Sequence, residues 1–215
     1  SQFSNCTFKV DDNYRGGSSN PFSHHVTLWA VNGVFFTACN FLNEQSNKVY
    51  DPYNNKAIYS IDAGYTVTGS CSSILMYGQT CPDEYLSKSY FKGFNVAIHA
   101  SGSGTLNIVK VDESVFEENV RGVQFDVVNN SWINKSEFKI GNNSVSNSPD
   151  YQEGIFIRGG STGFRIEENN LQLSSISVPQ TIGIRINSSS LSDIGGINNQ
   201  IYKNTISNLS IGEQA

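Results

Sequence analysis

The chain contains 215 residues, of which 38% are hydrophobic and only 15% are charged, and it carries a formal net charge of −5. Its many Gly and Asn residues argue against a helical protein, because both are poor helix formers, and 13 Phe and 10 Tyr argue against a disordered chain. The mild negative charge and the lack of a Lys/Arg cluster exclude a nucleic-acid partner, and no apolar run reaches the roughly 20 residues of a membrane-spanning helix.

A six-residue pattern recurs seven times along the chain. It reads apolar, two mostly polar residues, a small Ser, Asn or Cys, any residue, and apolar again. The copies occupy residues 3–8 (FSNCTF), 36–41 (FTACNF), 86–91 (LSKSYF), 111–116 (VDESVF), 133–138 (INKSEF), 166–171 (IEENNL) and 201–206 (IYKNTI). Uneven spacing with a constant core pattern predicts a solenoid whose loops differ in length while its coils do not.

A second pattern of short period-2 runs alternates with the first. These runs are HVTL at 25–28, AIYS at 57–60, AIHA at 97–100, GVQF at 122–125, GIFI at 154–157 and GIRI at 183–186. They are typical of short strands, with Gly or Ala placed where the chain must bend. Together the two patterns predict an all-β, right-handed, single-stranded parallel β-helix of about seven to eight coils, stacked about 4.8 Å apart.

Equivalent positions in successive copies should then form columns along the solenoid. The last position of the pattern predicts an interior column of Phe8, Phe41, Phe91, Phe116, Phe138, Leu171 and Ile206. The fourth position predicts a column of small polar groups that bind the backbone or one another, made of Cys6, Cys39, Ser89, Ser114, Ser136, Asn169 and Asn204. The third position predicts an exterior file of alternating charge, made of Lys88, Glu113, Lys135, Glu168 and Lys203.

The whole chain, residues 1–215, is expected to be a single β-helix domain. Residues 42–85 stand out as an irregular, Tyr-rich excursion, which should hold one extra turn and a disulfide loop between Cys71 and Cys81. A disulfide indicates an exported protein. Because the pattern runs close to both ends of the chain, we expect a piece of a longer solenoid.

The interleaved G-I-x-I and I-x-x-N-x-F motifs resemble the right-handed parallel β-helix repeats of the pectate-lyase-like superfamily. The stretch AIYSIDAGYTVTGSC, followed by GQTCP, further resembles repeat regions of very long surface proteins that bacteria export by type IX secretion. The first resemblance implies the fold and says little about activity. The second implies a secreted or cell-surface location, with the bacterial secretion machinery as a further partner.

The expected function is that of a non-enzymatic structural or adhesive module, which binds a carbohydrate or a cell-surface protein through its loops without a metal or cofactor. Exposed aromatic rings stack on sugar faces and anchor protein contacts. The candidate binding residues are Tyr50, Tyr53, Tyr59, Tyr65, Tyr77 and Tyr85. Their other interpretation is that they pack the excursion against the side of the solenoid.

The alternative is a polysaccharide lyase or glycoside hydrolase acting on an acidic polysaccharide. The superfamily resemblance implies calcium-binding acidic clusters with an Arg or Lys base in such enzymes, so calcium enters only under this alternative. The candidate carboxylates are Asp11, Asp12, Asp62, Asp112, Glu113, Glu117, Glu118, Asp126, Glu167 and Glu168. Asp112, Glu113, Glu167 and Glu168 are expected to face solvent, since they occupy the second and third positions of the six-residue pattern. Arg121, Arg158 and Arg185 are expected as solvated surface arginines, and His24, His25 and His99 as loop and surface residues without metal spacing.

Overall fold

Three parallel sheets of seven strands each run the length of the computed structural model, which describes residues 1–14, 21–73, 81–102, 108–141, 145–146, 149, 151–174, 180–187 and 199–215. Sheet 1 consists of β1 (Gln2–Ser4), β4 (Asn32–Thr37), β8 (Gly64–Thr68), β13 (Val109–Asp112), β16 (Trp132–Asn134), β20 (Arg165–Glu167) and β23 (Gln200–Tyr202). Sheet 2 consists of β2 (Thr7–Val10), β5 (Asn40–Asn43), β11 (Ser89–Lys92), β14 (Ser114–Glu117), β17 (Glu137–Ile140), β21 (Asn170–Leu173) and β24 (Thr205–Ser207). Sheet 3 consists of β3 (His24–Trp29), β7 (Lys56–Ile61), β12 (Val96–Ser101), β15 (Arg121–Asp126), β19 (Gln152–Arg158), β22 (Thr181–Asn187) and β25 (Ile211–Gln214).

The chain visits sheets 1, 2 and 3 in that order, seven times over, and each strand pairs in parallel with its counterparts in the neighbouring coils. This arrangement is a parallel β-helix of seven coils, and it confirms the predicted fold class. The second sequence pattern, from HVTL to GIRI, supplies six of the seven strands of sheet 3, and β25 is the seventh. Short accessory strands lie outside the three sheets: β6 (Lys48–Val49), β9 (Ser70–Cys71), β10 (Leu86–Ser87) and β18 (Val145–Ser146).

The predicted interior column is confirmed along its whole length. Its members pair directly in the register of sheet 2, from Phe8 with Phe41 through to Leu171 with Ile206. The five phenylalanine rings stack with centroids 4.6–4.9 Å apart and planes within 9° of parallel. The rise from one coil to the next matches the separation of stacked rings, so phenylalanine packs well against itself here.

The column of small residues forms the predicted ladder of hydrogen bonds between coils. The backbone N–H of Ser114 donates to Ser136 Oγ at 3.2 Å, and the N–H of Ser136 donates to Asn169 Oδ1 at 3.0 Å. The N–H of Asn169 in turn donates to Asn204 Oδ1 at 3.0 Å. The ladder satisfies backbone groups at the corner between sheets 1 and 2, where the strand hydrogen bonds are interrupted.

The corner itself lies at the third position of the pattern, where six residues adopt a left-handed backbone with φ between 46° and 57°: Asn5, Ala38, Glu113, Lys135, Glu168 and Lys203. A non-glycine residue rarely takes this conformation. Here the N–H of the corner residue donates to a carbonyl of the next coil, as from Glu113 to Asn134 at 3.2 Å and from Lys135 to Glu167 at 3.2 Å.

The predicted file of alternating charge is only partly right. Lys203 Nζ lies 3.3 Å from Glu168 Oε1, as expected, but Lys88 Nζ binds Glu137 Oε1 at 2.5 Å instead of pairing with Glu113. A second file of alternating charge lies further along sheet 2, where Glu117 is bound by Lys92 at 3.3 Å and by Lys139 at 2.9 Å.

The excursion predicted at residues 42–85 is two separate loops, because the regular strands β7 and β8 lie inside it. The prediction that Leu86 begins a copy of the pattern is wrong, since Val67 fills that column between Phe36 and Val111. Residues 69–88 are instead an insertion at the corner of the third coil. Ser89 Oγ still donates to Thr68 O at 2.8 Å across it, so the corner is preserved.

The inserted loop is closed by an antiparallel pair of strands, β9 and β10, and by the predicted disulfide between Cys71 and Cys81. The Cα atoms of the two cysteines are 5.8 Å apart, within the range that disulfides require. The described residues include no helix of the length and hydrophobicity that would cross a bilayer.

The glycines near the start of three sheet 3 strands, Gly122, Gly154 and Gly183, serve close packing, which corrects the expectation that they mark bends. A Cβ atom at Gly122 would lie 2.6 Å from Gly154 O and 2.8 Å from a ring carbon of Phe138. The backbone of sheet 3 therefore approaches the phenylalanine column so closely that a larger residue would not fit.

We expect Phe116→Ala to lower the free energy of unfolding by about 3–5 kcal/mol, because it leaves a cavity in the middle of the stack. Phe35→Ala is a matched control, since Phe35 faces outward from sheet 1 and is 46% exposed. It should cost less than about 1 kcal/mol. Chemical denaturation of both variants measures the difference, and equal losses would contradict the assignment of interior and exterior.

Candidate functional site

The tyrosines predicted to bind a ligand lie in several environments, and Tyr65 is not available for binding. Tyr65 occupies an inward position of β8 and is 2% exposed, with its hydroxyl accepting a hydrogen bond from Ser60 Oγ at 3.3 Å. Burial raises the pKa of its phenol well above the usual value. The prediction of an exposed ring is wrong for Tyr65, because its place in sheet 1 points it into the core.

Tyr59 and Tyr85 lie apart from one another, with Tyr59 on strand β7 and Tyr85 on the disulfide loop. Tyr59 is half-buried on the outer face of sheet 3, where its ring centroid lies 4.9 Å from Lys56 Nζ and 5.3 Å from the His99 ring. Tyr85 ends a 3₁₀ turn, Asp83–Tyr85, in the disulfide loop and is 47% exposed. Tyr77 lies outside the described residues.

Tyr50 and Tyr53 lie together on the loop that joins β5 to β7, and they line a cavity of about 840 Å³. Tyr14 and Phe22 contribute to the same cavity from the loop before β3. Asn47, Asn54 and Asn55 also line it. We call this space the tyrosine cavity. It combines four aromatic rings with hydrogen-bonding groups, which is the composition of a small-molecule site.

Two carboxylates give the tyrosine cavity a negative character. Asp12 accepts a hydrogen bond from the Ser46 N–H at 2.8 Å, which lowers the pKa of Asp12. Asp51 accepts from the Tyr53 N–H at 2.8 Å, and this bond lowers the pKa of Asp51 in the same way. Burial lowers the pKa of the Lys48 ammonium, whose Nζ donates to Asn43 O at 2.7 Å. Both carboxylates therefore remain charged at neutral pH.

The loop that carries Tyr50 is joined to a second loop through the parallel pair of β6 and β18. The two loops belong to the second and fifth coils, so the paired strands cross over the third and fourth coils. In those two coils the links between sheets 2 and 3 are short, at residues 93–95 and 118–120. Burial raises the pKa of Tyr50, and the charges of Arg121 and Glu153 also act on it. Lys56 Nζ, which lies against the Tyr59 ring on the outer face of sheet 3, also donates to Tyr53 O, so the tyrosine cavity adjoins that face.

A buried ion-pair network occupies that outer face. Glu153 is fully buried, and its carboxylate is bound by Arg121 Nε and, at 3.1 Å, by Arg185 Nη1. These three residues come from the successive strands β15, β19 and β22. Since a carboxylate without partners could not stay charged in such a site, the two guanidinium groups are what allow Glu153 to be buried.

Asp126 forms the second half of this network. Its two carboxylate oxygens accept from Arg158 Nε at 2.6 Å and Nη2 at 2.8 Å, and His99 Nε2 lies 2.9 Å from Oδ2. Gln124 Nε2 also lies 3.1 Å from Oδ2. Burial on its own would raise the pKa of Asp126, but the hydrogen bonds from His99 and Arg158 outweigh it and hold that pKa well below the usual value.

The ring of Phe156 lies at the centre of the network and contacts its three arginines. The guanidinium carbons of Arg121, Arg185 and Arg158 lie 5.1, 5.2 and 5.8 Å from the ring centroid. Arg185 also stacks on the ring of Tyr151, at 4.6 Å. The expectation of solvated surface arginines is therefore wrong for Arg121 and Arg185, whose side chains are 12% and 22% exposed. It is right for Arg158, whose side chain is 48% exposed although it is paired with Asp126.

The other candidate residues are dispersed. Asp62 occupies a left-handed corner after β7, with φ of 47°, and Asp112 accepts from Asn134 Nδ2 at 3.1 Å. The three histidines lie on strands β3 and β12, which corrects their assignment to loops. Among the described residues, no three His, Cys, Asp or Glu side chains are grouped as a metal site would require.

Comparison of the chain with protein-family models, with curated proteins and with solved structures finds no match. The class of the protein is therefore defined by its structure alone. It is a parallel β-helix with the tyrosine cavity among its loops and an ion-pair network on the adjoining face of sheet 3.

We expect Glu153→Gln to lower the free energy of unfolding by about 3 kcal/mol, because it leaves Arg121 and Arg185 without their counter-charge in a buried site. Glu168→Gln is a matched control, since Glu168 is exposed and forms one surface ion pair with Lys203. It should change stability by less than about 1 kcal/mol. Thermal and chemical unfolding measure both, and equal effects would contradict a structural role for Glu153.

We expect the stabilising effect of Asp126 to disappear in acid. The pKa of Asp126 is lower in the folded chain than in the unfolded chain. The contribution of Asp126 to the free energy of unfolding is therefore complete above its unfolded pKa of about 3.9, and it is lost as the pH falls through the folded pKa. The difference in free energy of unfolding between the wild type and Asp126→Asn should be large at pH 7 and shrink below pH 4. Asp83→Asn, at an exposed loop position, should show little difference at either pH.

Proposed function

We propose that the chain is a non-enzymatic structural or adhesive module, and that it binds carbohydrate in the tyrosine cavity. The observation that carries this proposal is the convergence of Tyr14, Phe22, Tyr50 and Tyr53 on one cavity. Aromatic faces pack against the apolar faces of sugar rings, and amide groups provide hydrogen bonds for sugar hydroxyls. A volume of about 840 Å³ also falls within the usual range of ligand sites, about 300–1,000 Å³.

The charge of the cavity favours a neutral sugar over an acidic one. Asp12 and Asp51 are both ionised at neutral pH, and they outnumber Lys48, the one ammonium group among the described lining residues. A uronic or sulfated sugar would bring further negative charge next to two carboxylates, which costs free energy.

The module would belong to an exported protein, either secreted or held at the cell surface. The Cys71–Cys81 disulfide supports this, since disulfides persist in oxidising compartments. The resemblance to bacterial surface proteins exported by type IX secretion adds the secretion machinery and a cell-surface protein to the proposed partners. A rigid solenoid with ligand-binding loops suits an adhesive role, because its coils hold the loops at fixed positions.

The alternative of a polysaccharide lyase or glycoside hydrolase is less well supported. Asp126 and Glu153 do lie on successive strands of one face, but each is held by arginine and Glu153 is fully buried. A general acid or base must reach the atom whose proton it transfers. These carboxylates are instead committed to ion pairs.

Binding of neutral oligosaccharides, measured on a glycan array and then by calorimetry, tests the proposal. We expect Tyr53→Ala to weaken binding about tenfold or more, which corresponds to about 1.4 kcal/mol of lost stacking. Tyr53 is 80% exposed, so the fold should be unaffected.

Tyr85→Ala is the control, because Tyr85 is exposed on the disulfide loop and does not line the tyrosine cavity. Its affinity should match that of the wild type. If Tyr85→Ala abolished binding and Tyr53→Ala did not, the binding site would lie outside the tyrosine cavity. Turnover of any polysaccharide would favour the enzymatic alternative.

A further inference from the structure

Two cysteines occupy neighbouring positions in a column that elsewhere contains serine and asparagine. Cys6 and Cys39 take the fourth position of the pattern in the first two coils, ahead of Ser89, Ser114, Ser136, Asn169 and Asn204. In the later coils this side chain accepts a hydrogen bond from the coil below and donates one to a carbonyl, as Asn169 does with Ser136 N and Ile133 O. A thiol is a weak donor and a weak acceptor, so the ladder does not account for two cysteines in succession.

The two thiols converge on the same short stretch of backbone. Cys6 Sγ lies 3.5 Å from Ser4 O, and Cys39 Sγ lies 3.4 Å from Phe3 O, the preceding carbonyl of the same strand. The N–H of Asn40 donates to Cys6 O at 2.8 Å, which fixes the two corners in register. Parallel strands lie about 4.8 Å apart, within the range of about 4.4–6.8 Å between the Cα atoms of a disulfide.

The surroundings of the two sulfurs make them unequal. Cys39 is fully buried, and burial raises the pKa of its thiol. Cys6 is half-exposed, so a reagent in solution can reach it first. The Cys71–Cys81 disulfide indicates that the chain matures where disulfides form, and Cys6 and Cys39 meet the same conditions.

We propose that Cys6 and Cys39 are a modification site, at which an oxidising disulfide such as oxidised glutathione generates a second disulfide that ties the first coil to the second. The Cys6 thiolate attacks the glutathione disulfide, forming a mixed disulfide and releasing one glutathione thiolate. The Cys39 thiolate then attacks Cys6 Sγ and releases the second glutathione. Two protein thiols lose two protons and two electrons, and one glutathione disulfide is reduced to two thiols.

This bond has a structural consequence for the first coil. The rings of Phe3 and Phe8 stack on Phe36 and Phe41 of the second coil, at 5.1 and 4.7 Å. A covalent link between the same two coils holds these rings in place when the coils separate locally. Cross-linking residues 6 and 39 also restricts the unfolded chain, which stabilises the folded state.

Counting thiols in the whole chain tests the proposal directly. The protein is incubated in a glutathione redox buffer, denatured without reductant, and treated with a thiol reagent. We expect no free thiol, and a peptide containing Cys6 linked to one containing Cys39 on mass spectrometry after digestion. Two free thiols, or a link from either cysteine to Cys71 or Cys81, would overturn the proposal.

A matched pair of proteins measures the effect on stability. In a Cys71→Ser/Cys81→Ser background, reductant acts only on Cys6 and Cys39, and it should lower the Tm by about 5–10 °C. Adding Cys6→Ser and Cys39→Ser should abolish this response without loss of the fold, because serine occupies the same position in three later coils. An unchanged Tm on reduction would contradict the stabilising effect of the disulfide. The thiol count uses the wild-type chain, so it tests the disulfide itself even if a variant fails to fold.

Discussion

The stacking of identical positions about 4.8 Å apart is the constraint on which the rest of this structure depends. Each side chain of a coil lies directly on its counterpart in the next coil, so a column is stable only if its members are compatible with copies of themselves. Phenylalanine meets this condition with parallel rings 4.6–4.9 Å apart. Serine and asparagine meet it because each can accept from one neighbour while donating to another.

Charged residues cannot stack on their own kind, and this explains the outer face of sheet 3. Where the register places Arg121 beside Glu153, and Asp126 beside Arg158, opposite charges meet at the separation that the sheet imposes. The rings of Phe156 and Tyr151 then pack against the guanidinium groups of Arg121 and Arg185. The result resembles an active site in its composition, with acids, arginines and a histidine. Its carboxylates are occupied, however, so its effect is on stability.

The six-residue pattern correctly predicted the features that recur from coil to coil. It failed where loops are inserted between the strands. The interior columns followed from the six-residue pattern alone. Leu86 was misplaced because it mimics the start of a copy, although it lies inside the insertion between Thr68 and Ser89, which form the corner. The ion-pair network could have been found by aligning the sheet 3 patterns, since Arg121 and Glu153 each directly precede a strand-opening glycine.

The tyrosine cavity was harder to predict, because it forms where loops from two coils meet. Sequence indicated Tyr50 and Tyr53 by their local density, but the contributions of Tyr14 and Phe22 depend on how the loop before β3 packs. Tyr65 was included for the same reason of density and belongs to the core, since its strand continues through the region that looked irregular. Composition identifies an unusual segment without separating its inward residues from its outward ones.

Insertions at the corners carry the features that distinguish this chain from a uniform solenoid. The disulfide loop interrupts the corner between sheets 1 and 2, and the loop with Tyr50 and Tyr53 enters between sheets 2 and 3. A corner tolerates such additions because its groups bind across coils, as when Ser89 reaches Thr68 over the inserted loop. The coil-to-coil contacts therefore maintain the fold while the loops are free to vary. A ligand site built on these loops can change without disturbing the columns, which is why the tyrosine cavity, and not the face of paired charges, is the better place to seek the function.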